Sequence, residues 1–228
     1  MAHYVMSDLH GESDRFFAML ERIGFCSEDT LYILGDVVDR GPHGVQLLQY
    51  VMGQPNITML MGNHEHMMGI YFDPASTPEQ KARWDRNGNA PTLEGFRTLR
   101  SEAQTAVLDF IRSRPGFLEV TVNGQNFHLV HAFPAESLYD QVWTRPGLDT
   151  PNPLPGKQVI IGHTKVVSML HPVREERLPY EQALVEAGDH VRILHRPGFI
   201  DLDCGCGYNS PAKRLSCLRL EDMAEFYV

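Results

Sequence analysis

Five apolar runs in this chain each end on a side chain able to bind a metal ion. "YVMSDLH" ends in Asp8 and His10, "LYILGD" in Asp36, "TMLMGN" in Asn63, "FHLVH" in His131 and "QVIIGH" in His163. Two carboxylates, one amide oxygen and three imidazoles form a mixed hard and borderline donor set. That set suits Mn²⁺, Fe or Zn²⁺ better than a thiolate-seeking ion or an all-oxygen calcium cage. Six donors exceed the need of one catalytic ion with open positions. They match two divalent ions sharing a bridging carboxylate, for which Asp36 is the natural choice, and such a pair clamps a phosphoryl group and activates water near neutral pH.

Buried strands must deliver these residues to one edge. The first part of the chain reads as alternating strand and helix: "HYVMSDLH", then "GESDRFFAMLERIGF" with Phe16, Phe17, Leu20 and Ile23 at helical spacing, then "TLYILGD", "GPHGVQLLQYVMGQ" and "ITMLMGN". Ser13 or Asp14 is placed to cap the first helix and Gly24 to close it. This alternation predicts an α/β layer architecture. In such sheets ligands bind outside the carboxyl ends of the strands. Glycine before Asp36, Asn63 and His163 permits a sharp turn or close approach. Asp8 and His10 are two residues apart, so an extended backbone would point both to one side. Residues 73–102 are polar and rich in turn formers, an excursion expected to act as a substrate loop or cap. Loop 133–156 is the other expected seat of specificity. The tail segments "HVRILH", "GFIDLD", "RLSCLRLED" and "AEFYV" read as antiparallel strands. The whole chain, 1–228, is expected to form one domain.

A chain of 228 residues with 43% hydrophobic and 21% charged residues can bury a large core without staples. The net charge of −9 argues against a nucleic-acid grip, although a local cation site can still hold an anionic substrate. No apolar stretch approaches the ~20 residues of a membrane span. The N-terminus enters a strand pattern at once, leaving no room for a signal peptide. Four cysteines in a chain this long do not read as a disulfide framework, which predicts a cytoplasmic location.

In order along the chain, "DLHG", "GDVVDRG", "GNHE", "LVH" and "IGHT" resemble the metallophosphoesterases, specifically the phosphoprotein phosphatase branch with its small bacterial and bacteriophage serine/threonine phosphatases. The C-terminal "IDLDCGCGY" and "RLSCLRLED" look like the closing strands of that group, so the resemblance runs from residue 8 to 218. It implies an α-β-β-α sandwich, two mixed sheets flanked by helices. It also implies one metal held by Asp8, His10 and Asp36, and another by Asp36, Asn63, His131 and His163, with Mn²⁺ the expected ion. A hydroxide between the ions would attack phosphorus in line. His64 would protonate the leaving oxygen, oriented by Asp39. Arg40, Asn63 and Arg145 would bind the phosphate.

Within the superfamily, Lys165 follows "GHT" where many members carry another histidine ligand. Symmetrical dinucleoside tetraphosphatases of this branch usually show aspartate at the position of Glu65 and tend to replace Asp39. Both features favour a serine/threonine or dual-specificity protein phosphatase acting on a phosphorylated protein or small phosphoester. Dinucleoside polyphosphate hydrolysis is the enzymatic alternative, and a non-catalytic scaffold of the same fold the alternative of another class. "WDRNGNAPTL" resembles a "WxxNGGxxT" stretch of the bacterial enzymes, with Asn89 replacing the second glycine. Outside these motifs, Cys204 and Cys206 read as strand-end packing and the methionines as core filler. His66, His171, His190 and His195 carry no ligand spacing.

Overall fold

Neighbouring residues of the first strand, β1 (His3–Met6), go to different cores. Tyr4 and Met6 join one apolar cluster and Val5 another, as the two-residue period of a strand requires. The computed structural model describes residues 1–228. Further along, β2 (Thr30–Ile33) and β3 (Ile57–Met59) run parallel to β1. The hairpin β4 (Phe117–Val122) and β5 (Gln125–Val130) turns at Asn123 and Gly124, both at positive φ. Then follow β6 (Gln158–Ile161), β7 (Leu194–His195), β8 (Ile200–Asp201), β9 (Ser216–Arg219) and β10 (Glu225–Tyr227). One sheet has the order β10-β9-β1-β2-β3 and the other β4-β5-β6-β8-β7.

Between the sheets lies a layer built from Val5, Leu34, Leu60, Phe127, Leu129, Ile160 and Leu218. The outer face of the first sheet is covered by α1 (Ser13–Ile23), α2 (Gly44–Met52) and α3 (Asn63–Tyr71), through Phe16, Met19, Leu47, Leu48, Met67 and Met68. Each such fully buried side chain contributes about 1.5–3 kcal/mol of transfer free energy. Two more helices, α4 (Pro78–Asp85) and α5 (Ala90–Arg97), fill the 73–102 excursion, and α6 (Ser101–Arg112) follows. Beyond them are α7 (Leu138–Trp143), α8 (Val166–Leu170) and α9 (Arg174–Glu186). Val159 and Ile161 face outward from the second sheet onto Phe133, Met169 and Phe199. The protein is thus an α/β sandwich of two mixed sheets flanked by helices.

Two expectations need correction. The tail is not uniformly antiparallel: β8 lies parallel to β6 and antiparallel only to β7, while β9 and β10 cross to the first sheet. An apolar run shows that a strand is buried but not which partner it takes. The first helix begins after Glu12, with no side-chain cap from Ser13 or Asp14, although Gly24 does close it in the left-handed conformation. The excursion, polar in composition, buries Trp84, Thr92 and Phe96 almost completely. No helix is long and apolar enough to cross a membrane.

Candidate metal centre

Because β1, β2 and β3 are parallel in one sheet, and β5, β6 and β8 in the other, their carboxyl ends share an edge. The site residues stand just past those ends. His131 follows β5 directly, Asp8 and His163 lie two residues beyond β1 and β6, Asp36 three beyond β2, and Asn63 opens α3. Asp8 and His10 do not converge through an extended backbone, as their spacing suggested. Both are in the left-handed region, with φ of 55° and 44°, as are Asp36 at 55° and His163 at 67°. Non-glycine residues held there cost of order 1–3 kcal/mol each and persist only where the surroundings enforce them.

Two glycines show how tightly the loops close. Gly35, at φ +115°, leaves no room for a side chain, since a Cβ there would stand 2.5 Å from Gly62 Cα. A Cβ on Gly162 would stand 2.7 Å from Ser7 Cβ and would also strike the Asp8 carboxylate. The Asp8 carboxylate accepts from the Ser7 hydroxyl at 2.5 Å and from the His163 N–H at 2.9 Å.

All six expected donors meet in one buried cluster. His131 Nε2 lies 2.9 Å from Asn63 Oδ1 and 3.4 Å from Asp36 Oδ1, and His163 Nδ1 lies 2.8 Å from Asn63 Oδ1. His10 Nε2 is 3.5 Å from Asp36 Oδ2 and 3.8 Å from Asp8 Oδ1. His10 donates its Nδ1–H to Val38 O and His131 to Leu34 O, both at 3.0 Å. These bonds turn the Nε2 lone pairs inward. Burial and the Arg40 guanidinium hold His10 well below the usual imidazole range, and burial pulls His131 down to about 4. Burial, then the Asp8 charge, raises Asp36 well above the usual carboxylate range. Neutral nitrogens and acceptor oxygens therefore face each other across a buried space, an arrangement that a divalent cation satisfies. Asp36, His131 and His163 form one group able to hold an ion, and His10, Asp36 and His64 another.

Beside this cluster, His64 Nδ1–H donates to Asp39 Oδ2 at 2.6 Å. Arg40 bridges the imidazoles, 2.6 Å from His10 Nε2 and 3.0 Å from His64 Nε2. Burial, then the Arg40 guanidinium, lowers His64, and burial pushes Asp39 up to about 7. Arg145 reaches the edge, with Nη1 3.4 Å from Thr164 Oγ1 and 3.5 Å from the carbonyl of His163. His195 instead pairs with Glu225 at 2.7 Å, away from the cluster. All four cysteines are free, and burial drives Cys206 up to about 12, which keeps it a thiol.

Sequence reading missed several residues. Tyr208 carries the Arg40 guanidinium 4.1 Å and the Lys165 ammonium 3.9 Å from its ring centroid. It follows Gly207 just as Asp36, Asn63 and His163 follow glycines, and that repetition was the available signal. Tyr208, Thr164, Lys165, Arg145, Arg174 and Arg177 line a cavity of about 690 Å³ opening beside the cluster. None of its four cationic side chains forms an ion pair with a carboxylate.

Glu65, used above only to discriminate subgroups, has a structural task. Its carboxylate accepts the N–H groups of Asp36 and Val37 at 2.8 Å, and of Val38 and Gly62 at 3.2 Å. Glu65→Gln turns an NH₂ toward donors and is expected to cost about 1–3 kcal/mol. A lower midpoint in thermal unfolding checks this; an unchanged midpoint would show that the loops hold without it.

A family model described as Calcineurin-like phosphoesterase matches residues 1–195. Among curated proteins, the chain is 30% identical over 135 residues to the "Bis(5'-nucleosyl)-tetraphosphatase, symmetrical" of Neisseria meningitidis serogroup A / serotype 4A, covering 58% of this chain and 43% of that protein. The chain spans less than half the length of such relatives, 43% and 44% in the first two. Among solved structures, one provisionally named a diadenosine tetraphosphatase has a TM-score of 0.62 at 17% identity, covering 100% of this chain and 92% of that one. A Saccharomyces cerevisiae protein serine/threonine phosphatase has a TM-score of 0.60 at 11% identity, covering 97% and 73%. At such identities the structures speak for the fold alone, while the family match spans most of the sequence: the chain belongs to the calcineurin-like phosphoesterases.

Proposed function

We propose that this phosphoesterase cleaves small polyphosphorylated nucleotides, with dinucleoside tetraphosphates as the leading substrate class. The cavity beside the metal cluster carries this reading: Arg145, Lys165, Arg174 and Arg177 offer unpaired positive charge to several phosphates in a row. Curated relatives named as symmetrical bis(5'-nucleosyl)-tetraphosphatases support it from a separate direction. The difference from the sequence expectation is substrate class, since Asp39 and Glu65 had favoured a protein phosphatase.

Asp8, His10 and Asp36 would hold one divalent ion, and Asp36, Asn63, His131 and His163 the second, Mn²⁺ being well suited to these donors. Bound there, the ions would neutralise phosphoryl charge and lower the pKa of a coordinated water. Arg40 and Arg145 bind phosphate oxygens, and His64 donates a proton to the leaving oxygen, with Asp39 holding the imidazole in register.

The His64–Asp39 pair favours a second reading, phosphoserine or phosphothreonine hydrolysis. An alkoxide leaves poorly without a proton, whereas a nucleoside phosphate leaves as a stable anion. Rates on diadenosine tetraphosphate, a phosphoserine peptide and p-nitrophenyl phosphate, each with added Mn²⁺, decide between them. The dinucleotide is expected to show the highest kcat/KM, and Arg174→Ala with Arg177→Ala to raise its KM while sparing p-nitrophenyl phosphate. A phosphopeptide preferred over the dinucleotide would replace the first reading with the second. No hydrolysis of any of the three would revive a scaffold role.

A further inference from the structure

The segment between α3 and α6 has a task that neither its composition nor the proposed chemistry assigns. Trp84, in the last turn of α4, is fully buried, with its ring edge-on to Tyr71 at 4.9 Å and Phe72 at 6.1 Å. Its indole N–H is not left in the apolar core. It donates to Asp39 Oδ2 at 2.6 Å, the same oxygen that accepts from His64 Nδ1 at 2.6 Å. Asp39 Oδ1 has no hydrogen-bond partner, so orientation of this carboxylate rests chiefly on the indole and the imidazole, with the Thr92 hydroxyl beside it.

Two further bonds from the same segment reach the backbone beside it. Thr92 Oγ1 of α5 accepts the Asp39 N–H at 2.8 Å, and the Gly88 carbonyl accepts the Arg40 N–H at 2.9 Å. Asp39 and Arg40 are both left-handed, at φ 72° and 68°. A conformation unfavourable to both residues is thus bonded into place by α4, α5 and the turn between them. In that turn Gly88 supplies a φ of +89°, while Asn89 sits at an ordinary −73° and bonds Asp85, so the missing second glycine is not required.

We infer that Trp84 is a positioning residue for leaving-group protonation: through Asp39 it fixes the imidazole of His64, and α4 with α5 forms the buttress for that dyad. The inference rests on His64 acting as the acid in the phosphoesterase reading above. Without the indole, the carboxylate can rotate about its bond to Cβ and offer His64 either oxygen. The imidazole then spends less time aligned with the leaving oxygen, while phosphate binding by Arg40 persists.

The test is Trp84→Phe, which keeps an aromatic ring and removes the donor. Turnover of a phosphoserine peptide is expected to fall on the order of 10-fold or more at nearly constant KM, the scale typical of supporting hydrogen bonds around an active group. Hydrolysis of p-nitrophenyl phosphate, whose leaving anion needs no proton, is expected to change little. An equal fall on both substrates would show a merely structural role and overturn the inference. If His64→Asn itself lacks this leaving-group selectivity, the acid assignment fails instead, which is a distinguishable result. Should Trp84→Phe not fold, the wild-type indole N–H decides. The two tryptophan signals in a ¹H–¹⁵N spectrum are separated by Trp143→Phe, and the Trp84 signal is expected downfield and protected from exchange. Asp39→Asn is expected to move it upfield; a signal indifferent to that change would overturn the inference.

Discussion

Asp36→Asn is expected to lower kcat/KM by at least ~10³-fold, equivalent to about 4 kcal/mol of lost transition-state stabilisation. Asp36 is the one side chain facing both halves of the cluster. Its Oδ1 stands 3.4 Å from His131 Nε2 and its Oδ2 3.5 Å from His10 Nε2, while Oδ1 also accepts the His64 N–H at 3.0 Å. Asparagine keeps the volume and the acceptor but removes the negative charge that two cations would share. Metal content measured after dialysis should fall with activity; two retained ions would remove Asp36 from the bridging role. The metal-stripped protein should respond oppositely. Burial raises the folded pKa of Asp36 above that of the unfolded chain. As pH rises from the unfolded value toward the folded one, the native state binds more protons than the unfolded state, and this group's contribution to stability declines. The stripped variant should therefore unfold at a higher temperature than the stripped wild type, by a margin that grows with pH. A margin independent of pH would contradict the assigned cause.

His64→Asn should separate chemistry from binding. The imidazole is buried, bonded to Asp39 on one nitrogen and to Arg40 on the other, and the backbone N–H of His64 donates to Asp36 Oδ1. Asparagine can preserve the backbone bond and leaves all six metal donors in place, so metal content should hold. Turnover of alkyl phosphates should drop by about 10²–10⁴-fold, the usual worth of a positioned general acid. Diadenosine tetraphosphate and p-nitrophenyl phosphate should lose far less, because their leaving anions are stable unprotonated. Near-normal turnover of a phosphoserine peptide would strip His64 of the role. The ratio of the two losses also reports which leaving group this site evolved to expel.

Much of the centre was readable because it is built from local strings. Each donor sits within four residues of a buried strand's end, and the order of the strings carried the family resemblance. The α/β layering followed from alternating apolar runs, and the two-sheet sandwich from the family resemblance. Less readable was the cation-lined cavity. Lys165, Arg174 and Arg177 look like ordinary surface charge until α8 and α9 fold them against Tyr208 and Arg145. Trp84 and Thr92 lie in a polar stretch rich in turn formers, where no local periodicity marks which side chains are buried.

By itself, the sequence determined which side chains could bind metal and that buried strands alternate with helices, because side-chain type and apolar periodicity are local properties. Tertiary structure alone decided how they meet. Asp8, His10, Asp36 and His163 adopt left-handed backbones that no propensity favours, since packing between the two sheets and hydrogen bonds from distant residues outweigh local preference. It also decided that a polar excursion becomes a buttress, because the indole of Trp84 finds its hydrogen-bond acceptor 45 residues away, at Asp39.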